Sequence, residues 1–226
     1  MRTWLLAVGL VLAAPAFGQT PNLPRFDQKP LHFGFFLGIS QLDFAVQHAP
    51  TWPEGIYHVV PQSSPGYLVG IISDVRLSPY LNMRVNPTYV AGERILLIDG
   101  VDRATGIRDW YTRRVESSLV RLPVELKWKS ERIGNHRWFV LGALHATYDL
   151  GSKAKVVDDR LFKLQPVDYG FDLALGTDLY FEFFKLSPQL RWSFGLGNLH
   201  VDDDTKLAAS LPVVRHRSQD YVFTFE

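Results

Sequence analysis

The chain has 226 residues, a formal net charge of +1 and no cysteine. That length fits one large domain or two small ones. The near-neutral charge, with no basic stripe, gives no electrostatic case for a nucleic-acid partner, and the lack of cysteine excludes a disulfide scaffold.

The chain opens MRTWLLAVGLVLAAPAFGQT. Arg2 precedes an apolar stretch from Trp4 to Ala14, and Ala16-Phe17-Gly18 offers small residues where a signal peptidase reads. Residues 1–18 are therefore expected to be a secretory signal peptide, cut before Gln19. The stretch is too short for a spanning helix, which needs about 20 residues, and no later run approaches that length. Crossing a membrane would require a closed barrel. Residues 19–30, QTPNLPRFDQKP, follow as an extended leader because Pro21, Pro24 and Pro30 disfavour both helix and sheet.

From Leu31 onward apolar residues recur at every second position. Leu31, Phe33, Phe35, Leu37 and Ile39 share one parity, as do Tyr67, Val69, Ile71, Val75 and Leu77. Leu81, Met83, Val85 and Tyr89 form the next set, then Val120, Leu122, Val124, Leu126 and Trp128. Trp138, Val140, Leu144 and Tyr148 follow, then Phe171, Leu173, Leu175, Leu179, Phe181 and Phe183. Leu186, Pro188, Leu190, Trp192, Phe194 and Leu196 alternate with Ser187, Gln189, Arg191, Ser193 and Gly195, and Tyr221, Phe223 and Phe225 close the chain. The pattern predicts about eight strands and no amphipathic helix.

Charges keep to the other parity. Asp74, Arg76, Arg84, Arg121, Glu125, Lys127, Asp172, Asp178, Glu182 and Arg191 all avoid the oily face. An Arg or Lys facing mid-bilayer lipid costs about 2–4 kcal/mol, but a half-buried soluble sheet excludes charge from its oily face too. The connections favour lipid. They alternate long and short, with long stretches over Gln47–Gly66, where Pro50, Pro53, Pro61 and Pro65 point to a loop, around Asp99–Trp110, over Gly151–Pro166 and over His200–Arg217. An up-and-down membrane barrel has long extracellular loops and short periplasmic turns. Trp128, Trp138, Tyr148, Tyr67 and Phe183 sit near strand ends, as interfacial aromatic belts do. The expected fold is all-β: a small antiparallel up-and-down outer-membrane barrel over residues 31–226, both termini periplasmic, inserted by the outer-membrane insertion machinery and surrounded by outer-membrane lipid. About eight strands leave an interior that side chains fill, so the ten charges named above are expected to form a lumenal plug.

Four stretches, Asn22–Phe44, Pro65–Pro87, Arg121–Leu150 and Gly176–Leu199, together resemble the PorT family, called SprT in gliding bacteria, of the Bacteroidetes type IX secretion and gliding machinery. The resemblance implies a non-enzymatic barrel needed for export of cargo with C-terminal sorting domains, with other secretion components as partners and no cofactor. It also marks Asn22, Leu23, Pro24, Phe26, Asp27 and Pro30 as a candidate docking leader, against the plainer reading of a mobile spacer. A structural or adhesin-type barrel is the alternative.

Three other features suggest chemistry weakly. His200–Lys206 (HVDDDTK) lacks the alternating ligand spacing of a calcium loop. His32 and His145 lack ligand-spaced partners, so lumen filling is favoured over metal binding. His145, Asp149 and Ser152 fall near one strand end, but three polar residues beside a loop do not define a catalytic constellation.

Overall fold

A computed structural model describes residues 21–50, 55–101, 106–151, 164–199 and 210–226. The signal peptide, Ser152 and His200–Lys206 lie outside them. The strands are β1 (Leu31–Gln47), β2 (Ile56–Gln62), β3 (Ser64–Arg76), β4 (Leu81–Val85), β5 (Thr88–Val101), β6 (Arg108–Lys129), β7 (His136–Asp149), β8 (Val167–Tyr180), β9 (Lys185–Gly195) and β10 (Val213–Phe225). All pair antiparallel. β1 bonds to β10 on one side and to β3 on the other, which closes the sheet.

These ten strands make eight staves, because β2 with β3 and β4 with β5 each run on as one. The breaks have a local cause. Proline donates no ladder hydrogen bond, and Pro87 interrupts β4–β5 while Pro61 and Pro65 flank the break at Ser63. The strands also run further than the alternation indicates. Ile56–Gln62, expected to be loop, pairs with β5, and β5 pairs with β6 as far as Val101 opposite Arg108. A three-stranded sheet of β2, β5 and β6 therefore rises beyond the rest of the wall.

Connections alternate as expected except after β5, where the stretch around Asp99–Trp110 is largely strand and only residues 102–107 lead from β5 to β6. Short turns join β3 to β4, β6 to β7 and β8 to β9, all at the end that holds both chain termini. At the first of these, Ser78 Oγ accepts the N–H groups of Leu81 at 3.0 Å and Tyr80 at 3.3 Å. At the last, the Phe181 N–H donates to the Phe184 carbonyl at 2.9 Å and ends β8 at Tyr180.

The two faces are inverted relative to a soluble protein. Outward side chains are oily and bare: Phe33 is 68% exposed, Ile71 60% and Leu144 70%. Inward ones include Asp74, Glu125, Lys127 and Asp172, each 0% exposed. A soluble sheet would bury the first set and hydrate the second, so the face bearing Leu190, Trp192 and Phe194 meets lipid.

The interior is not charged throughout. Phe36, Leu42, Leu68, Ile72, Val90, Leu119 and Val222 pack together on the side of β1, β3, β5 and β10. Gly70 belongs to this packing, since a Cβ there would lie 2.4 Å from the Phe36 ring. At the long-loop end, Phe44, Ile56, Val59, Leu96, Ile98, Leu164, Leu199, Leu211 and Val214 form an apolar cap.

Candidate functional site: the filled lumen and the leader across its mouth

Alternation aims every second side chain of each strand at the axis. Eight staves then bring charges from distant parts of the chain into contact. Nearest the termini, the Arg84 guanidinium meets Asp74 at 2.6 Å and Glu226 at 2.6 Å. Lys185 meets the other Glu226 oxygen at 2.7 Å. Lys127 meets Asp178 at 2.6 Å and lies 3.9 Å from the centre of the Phe139 ring. Ser187 donates to Asp178 at 2.6 Å, and Asn82 donates to Asp74. The three cations and three carboxylates joined by these contacts balance one another, which is what lets charge persist at such burial.

A second layer lies deeper. Arg191 meets Glu125 at 2.6 Å and Asp172 at 3.6 Å. Asp172 also lies 2.9 Å from His145 Nδ1 and accepts from Ser193 at 2.6 Å. Arg121 donates to Ser193 at 2.8 Å, approaches Asp220 at 3.5 Å and contacts His216 at 2.9 Å. The third layer, under the apolar cap, is Arg94 with Asp149 at 2.8 Å and Ser117 at 2.6 Å. A cavity of about 10 Å³ among Arg94, Thr147, Asp149, Asp168 and His216 has room for about one water.

Asp74, Arg84, Arg121, Glu125, Lys127, Asp172, Asp178 and Arg191 thus lie in these layers. Glu182 does not. β8 has ended before it, so parity no longer sets its direction, and Glu182 is exposed on the turn to β9. Arg76 faces inward but stands at the mouth, half-buried, and donates to the Gln28 carbonyl at 3.2 Å rather than to a carboxylate. Sequence reasoning missed Lys185, Glu226, Asp220, Arg94 and Asp149. All share the inward parity, which was the available signal for them. His145 and Asp149 sit in different layers with different partners, so the structure does not bring them together as base and orienter.

A charged, filled interior inside an oily wall is the build of a small membrane barrel. Residues 17–201 match the family described as outer membrane protein beta-barrel domain. The chain belongs to that family. Two solved structures are similar to this outer-membrane barrel. Neisserial surface protein A is 8% identical with a TM-score of 0.46, over 87% of this chain and 97% of that one. OprG from Pseudomonas aeruginosa is 10% identical with a TM-score of 0.46, over 85% of this chain and 92% of that one. No curated protein matches the chain.

The leader of this outer-membrane barrel is not extended throughout. Leu23 takes a positive φ of 49°, and Phe26–Gln28 form a short 3₁₀ turn. Its residues are held across the mouth. The Asn22 N–H donates to Asn135 Oδ1 at 2.8 Å, its amide to the Tyr180 carbonyl at 3.1 Å, and Arg132 donates to its carbonyl. Phe26 stacks on His32 at 4.6 Å, and His32 Nε2 donates to the Phe26 carbonyl at 2.7 Å. Lys185 lies 4.9 Å from the centre of the same Phe26 ring. Asp27 accepts from the Tyr180 hydroxyl at 2.6 Å and lies 3.4 Å from Arg137. Leu23 is half-buried, while Pro24 and Pro30 are exposed.

Burial alone would raise the Asp27 carboxyl. The Tyr180 hydroxyl and the charges of Lys185, Lys129 and Arg137 outweigh it and hold the group below the usual aspartate range. Leader docking should therefore be complete above the ordinary Asp pKa of about 3.9 and weaken as pH falls through the lower folded value. Amide exchange over Asn22–Pro30, corrected for intrinsic rate, checks this: protection should fall on acidification below about pH 4, and Asp27→Asn should flatten that change. Unchanged protection in the native protein would contradict the role given to Asp27.

Proposed function

We propose that this barrel serves type IX protein export as a closed, non-enzymatic part of the machinery, assembling or stabilising it rather than passing cargo. One observation carries the closed character: the layers around Arg84, Arg191 and Arg94 fill the lumen, with an apolar cap at one end and the leader at the other. An eight-stranded barrel has no spare width for a polypeptide. The export role itself rests on the resemblance of Asn22–Phe44 and Gly176–Leu199 to the PorT family, as does any part in gliding.

In this reading the termini and short turns face the periplasm, and the β2–β5–β6 sheet stands outside the cell. Other secretion components meet the leader on the side that its own barrel leaves open, at Pro24 and Pro30; Asn22, Phe26 and Asp27 are engaged with the barrel. A second reading, a structural or adhesin-type barrel, is favoured by the projecting sheet, where Tyr57 is 47% and Trp110 53% exposed.

Gene deletion separates them. The export reading predicts that cargo with C-terminal sorting domains stays inside deleted cells and that the whole gene restores secretion. Normal secretion from deleted cells would leave the adhesin reading. A copy lacking Asn22–Pro30 that inserts but fails to restore secretion would place the partner contact on the leader.

A further inference from the structure

We propose that the outward face of β10 at Arg215 and Arg217, with the oily wall of β9 beside it, binds a membrane lipid that carries a phosphate headgroup. The outward side chains of β10 grade along the strand. Phe225, Phe223 and Tyr221 are followed by Gln219, Arg217 and Arg215. At about 3.3 Å per residue, Arg217 lies about 26 Å along the strand from Phe225 at the mouth, and a barrel tilt of about 40° makes that about 20 Å of depth, close to the far edge of an apolar band about 25 Å tall.

Among the described residues the charge there is unbalanced. Arg217, 52% exposed, meets Asp43 at 2.5 Å. Asp43 also accepts its neighbour's N–H, from Phe44, at 2.8 Å, which fixes the carboxylate and through it the guanidinium. Arg215 is exposed and has no carboxylate partner among the described residues. Among the described residues, Asp43 thus answers Arg217 and no carboxylate answers Arg215. On the projecting sheet, by contrast, Arg108 meets Asp99 at 2.6 Å and Arg114 faces Glu93 at 3.8 Å.

The neighbouring strand says what kind of anion fits. Arg217 stands opposite Phe194 of β9, which stacks on Phe171 of β8 at 5.1 Å. Trp192 lies below it opposite Gln219, and above it Leu196 is 57% exposed. β9 is therefore oily to the height at which β10 is cationic. A free phosphate would use the guanidiniums and leave this wall bare. A phosphate-bearing lipid uses both, with its acyl chain along Trp192 and Phe194 and its phosphate forked by guanidinium N–H groups. The proposal requires only that the barrel spans a membrane, so its failure would leave the export reading untouched.

The test uses the whole mature protein in neutral detergent with three probes: phosphatidic acid, diacylglycerol with the same chains, and inorganic phosphate. Phosphatidic acid should bind at least about tenfold more tightly than diacylglycerol, and the double variant Arg215→Ala/Arg217→Ala should lose about tenfold or more of that affinity. Asp43→Asn, which frees Arg217, should tighten binding, and Arg114→Ala on the far wall should not change it. Equal binding of the two lipids, or an unchanged affinity in the double variant, would overturn the proposal. Full competition by inorganic phosphate would overturn it in favour of a soluble-anion site.

Discussion

Arg84→Ala should destabilise the folded barrel by about 3–5 kcal/mol, the cost of removing one partner from a buried ion pair. Arg84 is 1% exposed and bridges β4 to the end of the chain through Asp74 and Glu226. Without it, two buried carboxylates lose their nearest cation, and Lys185 remains for only one of them. The loss should appear as a lower urea midpoint in detergent, followed through the tryptophans. The double change Arg84→Met, Asp74→Asn, which leaves Glu226 to Lys185, should recover much of it, because the cost lies in the unanswered charges rather than in the missing side chain. A loss below about 1 kcal/mol for Arg84→Ala would mean that the mouth layer is hydrated and not a seal.

Leu144→Arg should cost about 2–4 kcal/mol in a lipid bilayer. Leu144 is 70% exposed, midway along β7, between outward Val124 of β6 and Phe171 of β8. If water met this face, an arginine at so exposed a position would change stability by no more than about 0.5 kcal/mol. Lipid reverses the expectation, because the guanidinium must be desolvated or must drag headgroups inward. Refolding into phosphatidylcholine vesicles with a urea titration measures the difference. Asp109→Arg on the projecting β6 should change stability little in the same vesicles. A tolerated Leu144→Arg would contradict the assignment of the oily face to lipid.

The period of two made the wall legible in the sequence. Leu190, Trp192 and Phe194 point one way and Arg191 the other because a strand allows nothing else. Which charges meet was not legible: Arg84 and Glu226 are 142 residues apart, and only closure of β1 on β10 brings them together. Parity failed where the strand stopped, as at Glu182, since a turn reorients each side chain. It also missed the division of the lumen. Phe36, Leu68 and Ile72 share the inward parity with Asp74, yet they fill an apolar side of the interior. Prolines misled twice. In Pro61 and Pro65 they suggested a loop where a barrel stave has only a local break, and in Pro21, Pro24 and Pro30 they suggested an extended leader. That leader turns because His32, Tyr180 and Arg132 hold it, and the Tyr180 and Arg132 contacts join segments 153 and 110 residues apart.

Conductance across a planar lipid bilayer tests the filled lumen most directly. The whole mature protein, inserted and confirmed folded by its heat-dependent gel mobility, should leave the current at the level of protein-free membrane. Steady ion-conducting steps from the native protein would contradict the account, because a barrel that passes ions continuously is not closed by the layers around Arg84, Arg191 and Arg94.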